Sequence, residues 1–568
     1  MARPTGRRWG WLRGYGRGDL SSDAAAGLTI AVMLVPQGMA YAMLAGLPPV
    51  IGLYASVIPL AVYAFLGSSR HLAVGPVAMV SLLTLAACAR LAPPGSPEYV
   101  RLVLLLALMV GLIQLAAGLL RFGFLINFFS HAVIGGFTAA AALVIALSQV
   151  RHLMGVDGGG GHSVLELVKE IAGGAGDIHL PTLVLGIASI AGMVGLRKIY
   201  PRLPSAILFV IAGSLLAWAW GGLGIRTVGE VPRGLPPLSL PSFNPLAIQE
   251  LFLDALAIVF VSFMESISVA KYMAAKSGYK VDPNRELIGL GAANIAGAFF
   301  SGYPVTGGFS RTAVNHQAGA RTQMASLVTA GLILLTLLLL TPLFYHLPNA
   351  VLGAIIIVAV VGLIDARDAL HLFRVKKSDG AILLITFVCT LGVGLDRGLL
   401  IGMVFSLGLF IWRSSHPHTA ELGYLENEGV FRNVSRYPEV TRNPAVLILR
   451  PDASLFFANM KFLEDRLAGD LSGRPGVKLI LLDLSGVNDI DAVSIDELEE
   501  LMEAYAHQGI RFAFAGMKGP VRDLVDHAGW GKKYGETYQY LSIPHALAAF
   551  GYSNGGGTGA PGSGTPRP

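Results

Sequence analysis

Four short stretches carry residue types suited to anion and proton chemistry. The first is residues 301–315, Ser-Gly-Tyr-Pro-Val-Thr-Gly-Gly-Phe-Ser-Arg-Thr-Ala-Val-Asn. Pro304 removes a backbone donor and Gly307-Gly308 lower helix propensity, so the spacing predicts a helix that begins at Phe309. Such a start aims free backbone N–H groups, the Ser310 hydroxyl and the Arg311 guanidinium at one spot. A helix N-terminus with free amides and a partial positive charge is an anion site. An arginine in an apolar region costs roughly 2.5–3.5 kcal/mol on insertion scales, which marks Arg311 as functional. The competing reading is an arginine that snorkels to the surface or pairs with a carboxylate.

The second stretch, Gly75-Pro76-Val77-Ala78, reads as another interrupted helix start, with the Val77 and Ala78 amides at its tip. The third is Val35-Pro36-Gln37-Gly38-Met39-Ala40-Tyr41. Pro36 and Gly38 are expected to kink or unwind that helix. Gln37 and Tyr41 share a face at i, i+4 and can line a cavity, or simply hydrogen-bond to a neighbouring helix. The fourth is Ser262-Phe263-Met264-Glu265-Ser266-Ile267-Ser268, in which Glu265 is a carboxyl within an apolar run. It is a candidate to bind and release a proton, in electrostatic coupling with an anion at Arg311; a static Glu265–Arg311 ion pair is the alternative. The histidines are scattered and there is no nucleophile motif or phosphate-cradling loop, so the chain is not expected to be an enzyme.

These stretches sit in a chain built for lipid. Hydrophobic residues make up 53% of its 568 residues and charged ones 14%, well under the roughly 25% of a soluble domain. About fourteen apolar segments are expected, at 24–46, 48–66, 71–91, 101–120, 131–150, 181–197, 204–221, 251–271, 285–301, 308–319, 323–345, 349–364, 379–395 and 397–413. If they divide into two equal halves, the interrupted segments at 71–91 and 308–319 hold matching positions. Matching broken helices are the best sequence pointer to a transporter binding site. With the N-terminus inside, the expected inner loops carry Arg70, Arg121, Lys198, Lys276, Lys280, Arg321, Lys376 and Lys377, while those at 46–49 and 301–307 on the other side carry no Lys or Arg. That bias places both termini in the cytoplasm. The net charge of +6 is read as this loop bias, not as nucleic-acid binding.

The composition changes after Arg413. The expected organisation is a cytoplasmic N-terminal segment (1–22), a transmembrane domain (23–413), an irregular polar linker (414–443), a small α/β domain (444–552) and a disordered tail (553–568). Within the α/β part, strands are expected at 445–450, 478–484 and 511–515, and helices at 455–467, 492–507 and 521–527.

The chain resembles the sulfate permease (SulP) family over about residues 20–550. The resemblance is carried by residues 35–41, by Phe263-Met264-Glu265-Ser266-Ile267-Ser268-Val269-Ala270-Lys271 and by residues 289–315. The C-terminal part looks like a STAS domain through Arg450-Pro451-Asp452-Ala453-Ser454 and Asp483-Leu484-Ser485-Gly486-Val487-Asn488-Asp489-Ile490-Asp491. The resemblance implies a helical membrane protein with a seven-plus-seven inverted repeat, core and gate subdomains, a homodimer and elevator-like movement. It implies an inorganic anion, with sulfate favoured, held by Gln37, Tyr41, Val77, Ala78, Ser310 and Arg311. Glu265 matches the acidic position linked to proton coupling, and glutamate there favours the proton over sodium as coupling ion; no other cofactor or metal is implied. Two alternatives stay open: a bicarbonate or dicarboxylate carrier or exchanger of the same family, and a membrane-tethered STAS regulator. Where related anti-sigma antagonists have a phosphorylatable serine after the aspartate, this chain has Asp491-Ala492-Val493-Ser494. The STAS part is therefore expected to contact a dimer mate or a cytoplasmic partner.

Overall fold

The computed structural model describes residues 15–124, 130–156, 164–200, 205–219, 224–362, 364–535 and 538–554. Most of the expected N-terminal segment and tail, 1–14 and 555–568, lies outside the described residues. The chain divides into two units between Ser406 and Leu407.

The first unit runs α1 (Arg17–Leu44), α2 (Pro49–Tyr54), α3 (Ile58–Leu66), β1 (Val74–Gly75), α4 (Ala78–Cys88), α5 (Pro97–Leu119), α6 (His131–Met154), α7 (Val164–Gly173), α8 (Leu180–Ile199), α9 (Ser205–Ala219), α10 (Pro245–Lys276), α11 (Pro283–Phe299), β2 (Thr306–Gly307), α12 (Phe309–Gln317), α13 (Met324–Leu335), α14 (Asn349–Val361), α15 (Ala366–Val375), α16 (Lys377–Val393) and the start of α17 (Leu395–Ser415). Among the described residues, eight helical stretches are long and apolar enough to cross a membrane, and three shorter apolar helices accompany them. Each expected apolar segment contains helix, although 71–91 opens on β1 and only part of 204–221 lies within the described residues. Two further helices, α7 and α15, are amphipathic and escaped a search for apolar runs.

Several long helices begin on side-chain caps with proline in the first turn, where its missing N–H is no loss. Ser96 caps α5, Asn244 caps α10 and Asp282 caps α11. α1 does not unwind at Pro36 and Gly38: the helix continues through both to Leu44. Gly38 serves packing instead. A Cβ there would lie 3.1 Å from the Gly52 carbonyl, and one at Gly52 would lie 1.9 Å from the Gly38 carbonyl, so bare backbones of α1 and α2 touch.

The second unit holds a five-stranded sheet in the order β4-β3-β5-β6-β7, from β3 (Thr419–Leu425), β4 (Val430–Asn433), β5 (Val446–Pro451), β6 (Leu479–Asp483) and β7 (Arg511–Ala515). Its helices are α18 (Phe457–Ser472), α19 (Ala492–Ala506), α20 (Gly519–His527), α21 (Trp530–Tyr534) and α22 (Ile543–Ala549). β5, β6 and β7 are parallel, and β3 pairs antiparallel with β4 and β5. Alternate residues feed two cores, Leu447 and Leu449 in one and Val446 and Ile448 in the other, as a pleated strand requires. β6 is buried along its whole length, which explains its unbroken apolar run.

The expected irregular linker is corrected here, because residues 414–443 contain the β3–β4 hairpin. Its charges hid it. Glu421, in the middle of β3, is paired by Arg474 at 2.6 Å and Arg442 at 3.6 Å, a compensation that local composition does not reveal.

Candidate functional site

The candidate site is built on a two-stranded sheet. Val74 pairs with Gly307 and Gly75 with Thr306, antiparallel. Each strand runs almost directly into a helix, so α4 and α12 leave the ladder in opposite directions and their N-termini face each other. Neither start has a side-chain cap. The first bonds inside these helices run from the Ser81 N–H to the Val77 carbonyl and from the Thr312 N–H to the Gly308 carbonyl, both 3.0 Å. The N–H groups of Ala78, Met79 and Val80, and of Phe309, Ser310 and Arg311, thus have no partner in their own helices. Two partial positive charges converge on one point.

Arg311 reaches into that point. Its residue is 2% exposed. Nη1 donates to the Pro76 carbonyl at 2.8 Å, while Nε and Nη2 are buried without a partner in the protein. Pro76 therefore does not open α4. It precedes the N-cap, Val77, and supplies the acceptor that anchors the arginine. The reading of Arg311 as a snorkelling side chain does not fit this burial.

Gln37 and Tyr41 are both buried on α1, which packs on α4 and α12. The Gln37 Oε1 has no hydrogen-bond partner. Glu265 lies on α10, and its Oε2 is likewise buried and unpartnered. Arg311, Tyr41, Glu265 and Tyr303 interact electrostatically. Glu265 and Arg311 form no direct ion pair among the described contacts, so the static-pair alternative is not what the fold contains. Val77 and Ala78 are buried at the start of α4. Ser310 is exposed, unlike Arg311 beside it, and is the second residue of α12, where its backbone N–H has no partner within the helix.

A hydrogen-bonded frame holds these parts. Thr306 Oγ1 donates to the Ser262 carbonyl at 2.5 Å and accepts from the Ser266 hydroxyl at 2.6 Å, while Ser266 Oγ accepts from the Gly307 N–H at 2.8 Å. The two serines flanking Glu265 thereby fix β2 against α10. Asn294 of α11 clamps Val305, accepting from its N–H at 2.8 Å and donating to its carbonyl at 3.1 Å. Thr312 accepts from the Ala73 N–H at 3.1 Å, and the Tyr303 hydroxyl meets Ser81 Oγ at 3.0 Å. Sequence reading missed this frame. Its only local signal was hydroxyl and amide side chains in apolar helices, which do not announce their partners.

The Sulfate permease family description matches residues 20–386, and the STAS domain description matches residues 437–541. The chain is 39% identical to sulfate transporter 4.1, chloroplastic, of Arabidopsis thaliana, over 94% of this chain and 81% of that protein. It is 35% identical to a probable sulfate transporter of Mycobacterium tuberculosis, over 96% of this chain and 99% of the relative. Among solved structures, the murine Solute Carrier 26 family member A9 anion transporter in the inward-facing state superposes with a TM-score of 0.88 at 26% identity, covering 94% of this chain and 92% of that one. The transmembrane domain of a cyanobacterium bicarbonate transporter shares the fold, with a TM-score of 0.61 at 22% identity, over 69% of this chain and 98% of its own.

Proposed function

The chain belongs to the sulfate permease family, and from that premise we propose that it is a secondary transporter importing sulfate with protons across the cell membrane. The relatives at 39% and 35% identity bear the name sulfate transporter, which supports sulfate as the substrate. One observation carries the anion site: the buried Arg311 Nε and Nη2 have no protein partner at the meeting point of two uncapped helix starts. A tetrahedral dianion accepts from several donors at once, and charge-assisted hydrogen bonds of this kind are the strong ones. Sulfate sits between the Val77-Ala78 and Ser310-Arg311 starts, with Gln37 and Tyr41 as its wall.

Glu265 carries the proton. An anion beside Arg311 offsets the guanidinium charge that opposes proton binding at Glu265, so each ligand favours the other. The antiparallel β1–β2 pairing supports a seven-plus-seven inverted repeat of fourteen spans. In this reading segments 1–4 and 8–11 form a core that carries the site past a gate of segments 5–7 and 12–14, in an elevator-like step. The transporter is a homodimer with both termini cytoplasmic, and the STAS domain meets a dimer mate or a cytoplasmic partner.

Labelled sulfate uptake into proteoliposomes under an imposed pH gradient tests this. Accumulation that follows the gradient is expected; uptake indifferent to it would remove proton symport. Competition by bicarbonate and dicarboxylates ranks the alternative substrates. Truncation after residue 443 tests the tethered-regulator alternative, since retained transport makes the STAS domain accessory.

A further inference from the structure

The far ends of the two half-helices are held by matching devices. Arg90 and Arg321 each lie twelve residues past the first residue of a half-helix, Ala78 in α4 and Phe309 in α12. Each position meets an aspartate from the long helix that opens the other half of the unit. Arg90 Nη2 pairs with Asp254 of α10. The Arg321 N–H donates to Asp23 of α1 at 2.6 Å. Both aspartates are buried, Asp23 fully and Asp254 to 5% exposure.

The two junctions differ in chemistry. Asp23 Oδ1 takes the Arg321 and Thr322 N–H groups at 2.6 and 3.1 Å, and its Oδ2 takes the Thr322 hydroxyl at 2.6 Å and that of Tyr15 at 3.2 Å. The Arg321 side chain turns instead to Asp19, at 3.2 Å. At the other junction the Arg90 side chain itself makes the contact, and it is 41% exposed.

The same two helices also form the site. α1 supplies Gln37 and Tyr41; α10 supplies Glu265 and, through Ser262 and Ser266, fixes β2. Each therefore touches the anion site in its middle and grips the far end of the opposite half's half-helix. We infer that Asp254–Arg90 and Asp23 with the Arg321-Thr322 backbone are paired positioning clasps that set the separation of the two anion-binding helix starts. The inference rests on the placement of sulfate between those starts. An anion held by both helix N-termini is sensitive to their spacing, because N–H···O bonds weaken steeply away from about 2.9 Å.

The test uses full-length protein in proteoliposomes, with labelled sulfate as probe and the folded fraction measured for each variant. Arg90→Ala should raise the sulfate KM about tenfold, with Vmax per folded transporter held within about twofold. Arg90→Lys, which keeps the charge, should recover most of that affinity. Arg321→Ala should leave KM near wild type, because the backbone and not the side chain meets Asp23, whereas Asp23→Ala should raise it. Wild-type KM in Arg90→Ala, or a loss confined to the amount of folded protein, overturns the clasp. So does an Arg90→Lys variant as impaired as Arg90→Ala. Arg311→Ala separates the two readings: if it retains affinity the anion site itself is wrong, and if it loses affinity while Arg90→Ala keeps it, the clasp alone fails.

Discussion

Gly308 lies directly under the guanidinium of Arg311. A Cβ at position 308 would come within 2.8 Å of Nη2 and 2.9 Å of Cζ. The glycine is needed for room at a helix start, since its own φ of −86° is open to any residue. Gly308→Ala should push the guanidinium off the Pro76 carbonyl and weaken sulfate binding at least about tenfold, the worth of one charged hydrogen bond. Equilibrium sulfate binding to the purified transporter reads this directly, and unchanged affinity would separate Gly308 from the site.

Charge alone should not satisfy the site. Lysine at 311 keeps the positive charge but loses the planar fork that reaches Pro76 with one nitrogen and frees two others. Arg311→Lys is expected to lose sulfate binding about as fully as Arg311→Ala. A lysine variant of near wild-type affinity would reduce the arginine to a point charge.

Glu265→Gln removes the carboxyl proposed to carry the proton while preserving shape. Accumulation driven by a pH gradient should disappear, and exchange of labelled for unlabelled sulfate should continue, because the helix starts and Arg311 are untouched. Accumulation equal to wild type would exclude Glu265 as the coupling group.

Glu286 is structural. Buried on α11, it accepts from the Tyr63 hydroxyl at 2.6 Å, the Ser68 hydroxyl at 2.6 Å and the Ser68 and Ser69 N–H groups at 2.8 and 2.9 Å. It ties the segment leading into β1 to α11. Glu286→Ala strands several buried donors and should cost roughly 3–5 kcal/mol, visible as a lowered unfolding temperature in detergent.

In the STAS domain, burial pushes the Asp452 carboxyl up, but hydrogen bonds from Arg450 at 2.6 Å and His418 at 2.8 Å outweigh it and hold it below the usual carboxylate value. A carboxyl more acidic in the folded chain than in the unfolded one adds stability above the unfolded value of about 3.9. That contribution vanishes as pH falls through the folded value. Hydrogen-exchange protection at β3 and β5 in the full-length protein, taken relative to the intrinsic rate at each pH, should fall below about pH 4, and Asp452→Asn should show the lower protection already at neutral pH.

Legible in the sequence alone were the membrane class, a helix within each apolar segment, the α/β pattern of the C-terminal part and the two interrupted helix starts. These follow from hydropathy, period and glycine–proline chemistry, which act within a few residues. It also pointed to Arg311 and Glu265, because a charge in an apolar run is costly enough to stand out. Tertiary structure alone decided the rest. The same glycine can mark a break or a close contact, and only the approach of α2 made Gly38 the latter. Glu421 reads as a linker charge until Arg474 arrives from a distant segment. Pro76 became an acceptor for Arg311 because the β1–β2 ladder pairs Gly75 with Thr306, 231 residues further along the chain. Local composition cannot encode which distant partner satisfies a polar group, and the site is made of such partners.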